Sequence, residues 1–140
     1  MTWHIDEEVS SLVPLISGRL FEGVSNASSP EWMAQRLTAI GQRPISALVD
    51  ITNYVMIDLG RPLHAYDADK VSGEKLTVRF AQVGEQVLAL NEKTYHCGSD
   101  MLVISDADGP DDLAGIMGGE RTGVSDTTTR MFLEIAIFNA

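Results

Sequence analysis

Histidine is the side chain whose ordinary pKa puts proton exchange near neutrality, and this sequence holds three of them, His4, His64 and His96. His4 lies in a polar opening stretch and His96 closes the strand-like "TYHC"; both read as structural or incidental. His64 differs, because it follows "RPL" directly after a long apolar run and is trailed by Tyr66, Asp67 and Asp69 in "HAYDAD". A histidine placed so has a functional reading, as a group able to exchange protons near neutrality. The competing reading is a hydrogen-bonded structural residue.

Glu134 is the second candidate. It interrupts "MFLEIAIF", and strand alternation puts Phe132, Glu134 and Ala136 on one face and Leu133, Ile135 and Ile137 on the other. Either the carboxylate faces solvent, or it faces a pocket and needs a donor to satisfy it. Other acidic groups promise less. "DADGPDD" at 106–112 lacks the glutamate and spacing of a helix–loop–helix calcium site and reads as a solvated loop. Asp67 and Asp69 beside one histidine make a weak metal signal. "GIMGGE" at 115–120 has no following Lys-Ser/Thr, so it is no nucleotide phosphate loop; its paired glycines instead let backbone approach a ligand or another strand closely. No Ser or Cys stands in a recognisable nucleophile motif.

These residues need elements to position them. Residues 1–14 read as an irregular N-terminal remnant, and "LISGRLFEGV" at 15–24 as a strand. "SPEWMAQRLTAIG" carries helix punctuation: Ser29 to cap, Pro30 at the first position, Glu31 at the positive end of the dipole, and Gly41 as the stop. A second helix begins near Ser46 and closes at Gly60; it is apolar around most of its circumference, which predicts burial on more than one side. From residue 76 the period shortens, and "LTVRFA", "QVLAL", "TYHC", "MLVIS", "LAGIM" and "MFLEIAIF" read as strands, with "NEK" as a hairpin connection. Two early helices packed on a mixed or antiparallel β-rich half define an α+β class.

Bulk properties narrow the function. The 140 residues fit one domain with a real core. No apolar run approaches a membrane span and no export signal opens the chain, which points to the cytoplasm. Cys97 stands alone, so no internal disulfide and no cysteine-rich zinc site is available. The net charge of −10 argues against a module that grips a phosphate backbone by itself.

Three segments change the weight of these candidates. "SPEWMAQRLTAIGQRPISALVDITNYVMIDLGRPLHAYDADK", "LAGIMGG" and "FLEIAIF" together resemble the editing domain of the bacterial phenylalanyl-tRNA synthetase beta subunit, from Leu15 to Phe138. The resemblance implies hydrolysis of the ester of mischarged tyrosyl-tRNA(Phe) in a metal-free site. It assigns His64 to the water, as base or as positioning group, and Glu134 to the tyrosine phenol. It places Gly118 beside the ring, Asn53 in the cavity wall and Arg43 near the site. The expected partners are the aminoacyl end of tRNA(Phe), the rest of the beta subunit and the alpha subunit. No cofactor is expected in this chain, since ATP and magnesium belong to the parent synthetase's aminoacylation core. The family's domain continues into a "TEAS"-like segment past residue 140, which makes residues 15–140 a partial domain and predicts an apolar patch or an open edge near 131–138, with self-association or poor solubility. The alternatives are a non-catalytic module that binds the aminoacyl end and a structural piece of the synthetase.

Overall fold

Alternating apolar residues in "RMFLEIAI" form the strand on which the fold is organised. The computed structural model describes residues 1–139. In chain order the strands are β1 (Thr2–Ile5), β2 (Leu15–Glu22), β3 (His64–Asp67), β4 (Lys75–Phe80), β5 (Gln86–Leu88), β6 (Thr94–His96), β7 (Leu102–Ser105), β8 (Pro110–Leu113) and β9 (Arg130–Ile137). Helices α1 (Glu31–Ala39) and α2 (Ala47–Leu59) lie between β2 and β3, and short 3-10 turns occupy Glu7–Leu12 and Ser72–Glu74. The class is α+β.

Two sheets face each other. One is four-stranded, ordered β1-β4-β7-β8, parallel only between β1 and β4; the other is antiparallel and ordered β2-β9-β3. Tyr66, Leu76, Val78, Ile104 and Phe132 fill the space between them. On the opposite face of β9, Met131 and Leu133 pack with Ala65 and with Leu48 of α2. A hairpin of β5 and β6 joined at "NEK" lays Val87 on a smaller cluster with Cys97, Val103 and Leu113.

Several expectations are corrected. Residues 1–14 are not irregular: β1 pairs in parallel with β4, and Val9 and Val13 are buried in the main core. The acidic and serine residues around them mask this in sequence, and the partner strand lies some seventy positions away. Of "LAGIM" only Leu113 lies in a strand, as the last residue of Pro110–Leu113; Ala114, Gly115 and Ile116 form a turn. Ser29 does not cap α1, because its hydroxyl donates to the buried carboxylate of Asp50, which also accepts from the Ile45 N–H at 2.9 Å. β9 is not an edge strand, being paired with β2 along its length.

The largest correction concerns α2. Only Leu48, Asp50 and Thr52 are buried, while Ile51 (44% exposed), Ile57 and Leu59 (72%) face outward. An apolar circumference measures what a helix is able to bury; α1 meets α2 through Trp32 and Tyr54, but among the described residues nothing covers the face that carries Ile51, Ile57 and Leu59.

Candidate active site

His64 is held by a strand. β3 pairs antiparallel with β9, putting His64 directly opposite Glu134 and Tyr66 directly opposite Phe132. Alternation sends all four side chains toward the four-stranded sheet. From that sheet β8 contributes Asp112 and β7 contributes Ile104. A cleft of about 330 Å³ opens here, lined among others by His64, Asp112, Met117, Gly118, Glu134 and Phe138.

A polar network runs through its floor. The Tyr66 hydroxyl lies between two carboxylates, in very short contact with Asp112 Oδ2 and 3.0 Å from Glu134 Oε2. The Gly119 N–H donates to Asp112 Oδ1 at 2.6 Å. His64 Nε2 is 3.8 Å from Asp112 Oδ2, close enough to feel the charge and too far for a hydrogen bond; that nitrogen is buried without a hydrogen-bond partner. The His64 ring meets the Tyr66 ring edge-on at 4.5 Å.

Burial governs the electrostatics. Glu134 is 7% exposed, and its carboxyl is pushed up to about 7, first by desolvation and then by the charge of Asp112. Asp112 is raised by the same burial, opposed by His64, the Tyr66 hydroxyl and the Gly119 N–H. Burial and the two carboxylates lift the Tyr66 phenol well above its ordinary range. One hydroxyl proton shared among three oxygens is most easily accommodated when one carboxyl of the pair keeps a proton of its own.

Gly118 is required by close approach. A Cβ there would lie 2.1 Å from His64 Cε1. Gly118 borders the cleft, and the ring resting on it is that of His64.

Of the anticipated site residues, the fold brings together His64, Gly118 and Glu134. Asn53 is half-buried on α2 and Arg43 is exposed in the connection before it; neither lines the cleft. A solvent-facing Glu134 is excluded. The solvated-loop reading of 106–112 is also corrected, since Asp111 and Asp112 are buried on β8. Arg121 sits 2.7 Å from Asp106 and 2.6 Å from Asp111, and burial pushes the Asp111 carboxyl up to about 7. Asp112 and Tyr66 are the functional candidates that sequence reasoning missed. Recognition of "HAYD" as a strand would have placed Tyr66 on the face of His64.

The architecture defines an α+β domain with a buried histidine–carboxylate–tyrosine network in a cleft between two sheets. The chain belongs to the B3/4 domain family, which matches residues 12–140. Similar proteins include the phenylalanine–tRNA ligase beta subunits of Paramagnetospirillum magneticum (54% identical, 94% of this chain and 16% of that protein) and Zymomonas mobilis (54% identical, 90% and 16%). The chain thus spans 16% of the length of these curated relatives. The fold is shared with a crystal structure of an N-terminal fragment of the phenylalanyl-tRNA synthetase beta subunit from Pyrococcus horikoshii, at a TM-score of 0.68 and 14% identity over 99% of this chain and 43% of that one. Among the described residues no helix is long and apolar enough to cross a membrane.

Proposed function

We propose that this domain hydrolyses the aminoacyl ester of tyrosine mischarged onto tRNA(Phe). The observation that carries the reading is the cross-strand pair His64 and Glu134 in one cleft, an imidazole beside a buried carboxyl. An apolar pocket selecting phenylalanine cannot strongly reject an isostere that merely adds a hydroxyl. A second site inverts the choice by offering the phenol a polar partner. Tyr66 engages Oε2 of Glu134, which leaves Oε1 for a ligand. Phenylalanine would leave that atom desolvated and unpaired, at a cost of about 1–3 kcal/mol.

An aminoacyl ester needs little activation, so positioning a water and favouring the developing oxyanion suffice. On this reading the domain works in the cytoplasm within a phenylalanine–tRNA ligase. The rest of the beta subunit and the alpha subunit supply the tRNA grip and the ATP- and magnesium-dependent ligation that the acidic chain does not provide. The test is deacylation of tyrosyl-tRNA(Phe) against phenylalanyl-tRNA(Phe), by this chain and by a longer beta-subunit chain. Selective loss of the tyrosyl ester is expected. Binding of the tyrosyl ester without turnover by either protein would replace hydrolysis with a recognition role.

A further inference from the structure

We infer that Tyr66 and Asp112 set the cleft's preference for a phenol, by holding Glu134 as a neutral acid whose proton lies on Oε2, toward the Tyr66 oxygen, and whose Oε1 is the bare acceptor. The inference deepens the hydrolytic reading above and rests on it.

A count of protons leads there. The Tyr66 hydroxyl touches two carboxyl groups, Asp112 through Oδ2 and Glu134 through Oε2 at 3.0 Å, yet it has one proton to give. Once that proton serves one carboxylate, the other contact sets two bare oxygens against each other unless the second carboxyl brings a proton of its own. Two arrangements satisfy both contacts, and they differ in which acid is neutral. The surroundings choose between them. Asp112 has support for a charge: the Gly119 N–H lies 2.6 Å from Oδ1, and His64 Nε2 is 3.8 Å from Oδ2. Glu134 is 7% exposed, and among the described residues its side chain has Tyr66 as its one hydrogen-bond partner. Burial raises both carboxyls, but only at Asp112 do a neighbouring charge and a backbone N–H oppose it. The proton therefore rests on Glu134, and Asp112 is the anion.

The groups that face Glu134 are few. Tyr66 and His64 come from β3 and Asp112 from β8, with Arg61 in the cleft wall; β2 sets Gly18 beside it and adds no charge. With its proton committed to the Tyr66 oxygen, Glu134 takes a donor at Oε1 and offers none. The phenol of tyrosine is such a donor, and the bare ring of phenylalanine is not. Tyr66 is fixed by Asp112, and Asp112 by the Gly119 N–H, so the acceptor has one orientation.

Carbon-13 NMR of the Glu and Asp carboxyls in the 140-residue chain at pH 6 reads the proton directly, with Glu134→Gln and Asp112→Asn assigning the two signals. Glu134 is expected protonated and Asp112 ionised; the reverse overturns the inference, as do two ionised carboxyls. Selectivity is read from deacylation of the tyrosyl, phenylalanyl and para-fluorophenylalanyl esters of tRNA(Phe). Fluorine is close to a hydroxyl in size and donates nothing, so the wild type should treat the para-fluoro ester as it treats the phenylalanyl one. A para-fluoro ester cleared as fast as the tyrosyl one would mean that size alone is read, and would overturn the inference. Tyr66→Phe removes the oxygen that takes the Glu134 proton. The tyrosyl preference should then fall about tenfold, through KM for the tyrosyl ester. An unchanged preference overturns the inference, and so does a loss of kcat shared equally by both esters, which would make the hydroxyl structural. If Tyr66→Phe does not fold, the carboxyl assignment and the para-fluoro ester decide the matter. Absence of wild-type deacylation would instead overturn the hydrolytic reading, and the carboxyl assignment, which needs no turnover, would still decide where the proton lies.

Discussion

Glu134 was legible in the sequence because a single charge inside an apolar strand demands an account. Its two readings, solvent-facing or pocket-facing, are separated by burial alone. If Oε1 accepts the phenol, Glu134→Ala should erase the preference for the tyrosyl ester. It deletes the tyrosine partner and also relieves the desolvated group that phenylalanine would bury, so phenylalanyl-tRNA hydrolysis should rise. Competing deacylation assays read both; full tyrosine preference in the variant would remove Glu134 from recognition. Gly118→Ala acts on the other residue of the pair. Its Cβ would lie 2.1 Å from His64 Cε1, so the imidazole must shift, and a misplacement of about 1 Å is enough to cost roughly 10²-fold in rate. The variant should still bind the tyrosyl ester, since Glu134 is untouched. Wild-type turnover in Gly118→Ala would show that the ring position is immaterial. Tyr66 and Asp112 stayed hidden for a physical reason: each acquires its role from a partner on another strand, 46 positions apart in sequence. Local pattern carries no such information.

At the scale of elements, strand runs and both helices followed from period and punctuation, as with Gly60, whose left-handed conformation ends α2. What failed was the burial of α2, and a helix with an open outer face is not what holds His64. The support comes from pairing with β9, whose register sets His64 against Glu134. Because side chains alternate, a slip of β3 by one residue would turn His64 away from the cleft and leave Glu134, held also by β2, in it. The exposed Ile57 and Leu59 make a complementary prediction. Glu replacements at both should change unfolding free energy by no more than about 0.5 kcal/mol each, as for ordinary surface sites. If the chain self-associates through this face, sedimentation of the double variant should show it weakened. A strongly destabilised double variant would mean that α2 is covered in solution.

For the molecule as a whole, buried carboxyls tie stability to pH. Glu134 and Asp111 are both pushed up to about 7, so the folded chain holds their protons more tightly than the unfolded one. Their contribution is fully present below the unfolded values, about 4.5 for Glu134 and about 3.8 for Asp111, and is lost as pH rises through about 7. For Glu134 the loss is on the order of 3 kcal/mol. Glu85, held low chiefly by its hydrogen bond from Arg79, acts only on the acid side of its unfolded value and does not enter this window. Urea unfolding at pH 5.5 and 8.5 should therefore show a falling wild-type stability and a flatter Glu134→Gln; equal slopes would mean that Glu134 ionises freely. The N-terminal strand adds a consequence of a different kind. Trp3 on β1 packs at a tilt against Phe132 of β9 at 5.7 Å, whereas Trp32 on α1 lies half-open, edge-on to Tyr54 at 5.4 Å. These are the chain's two tryptophans, one in a sheet and one in a helix. Single-tryptophan versions carry separate optical reporters of sheet and helix layers. Coincident fluorescence transitions would mean that the thinly covered helical layer melts with the sheets, and an earlier Trp32 transition would mean that it peels away first.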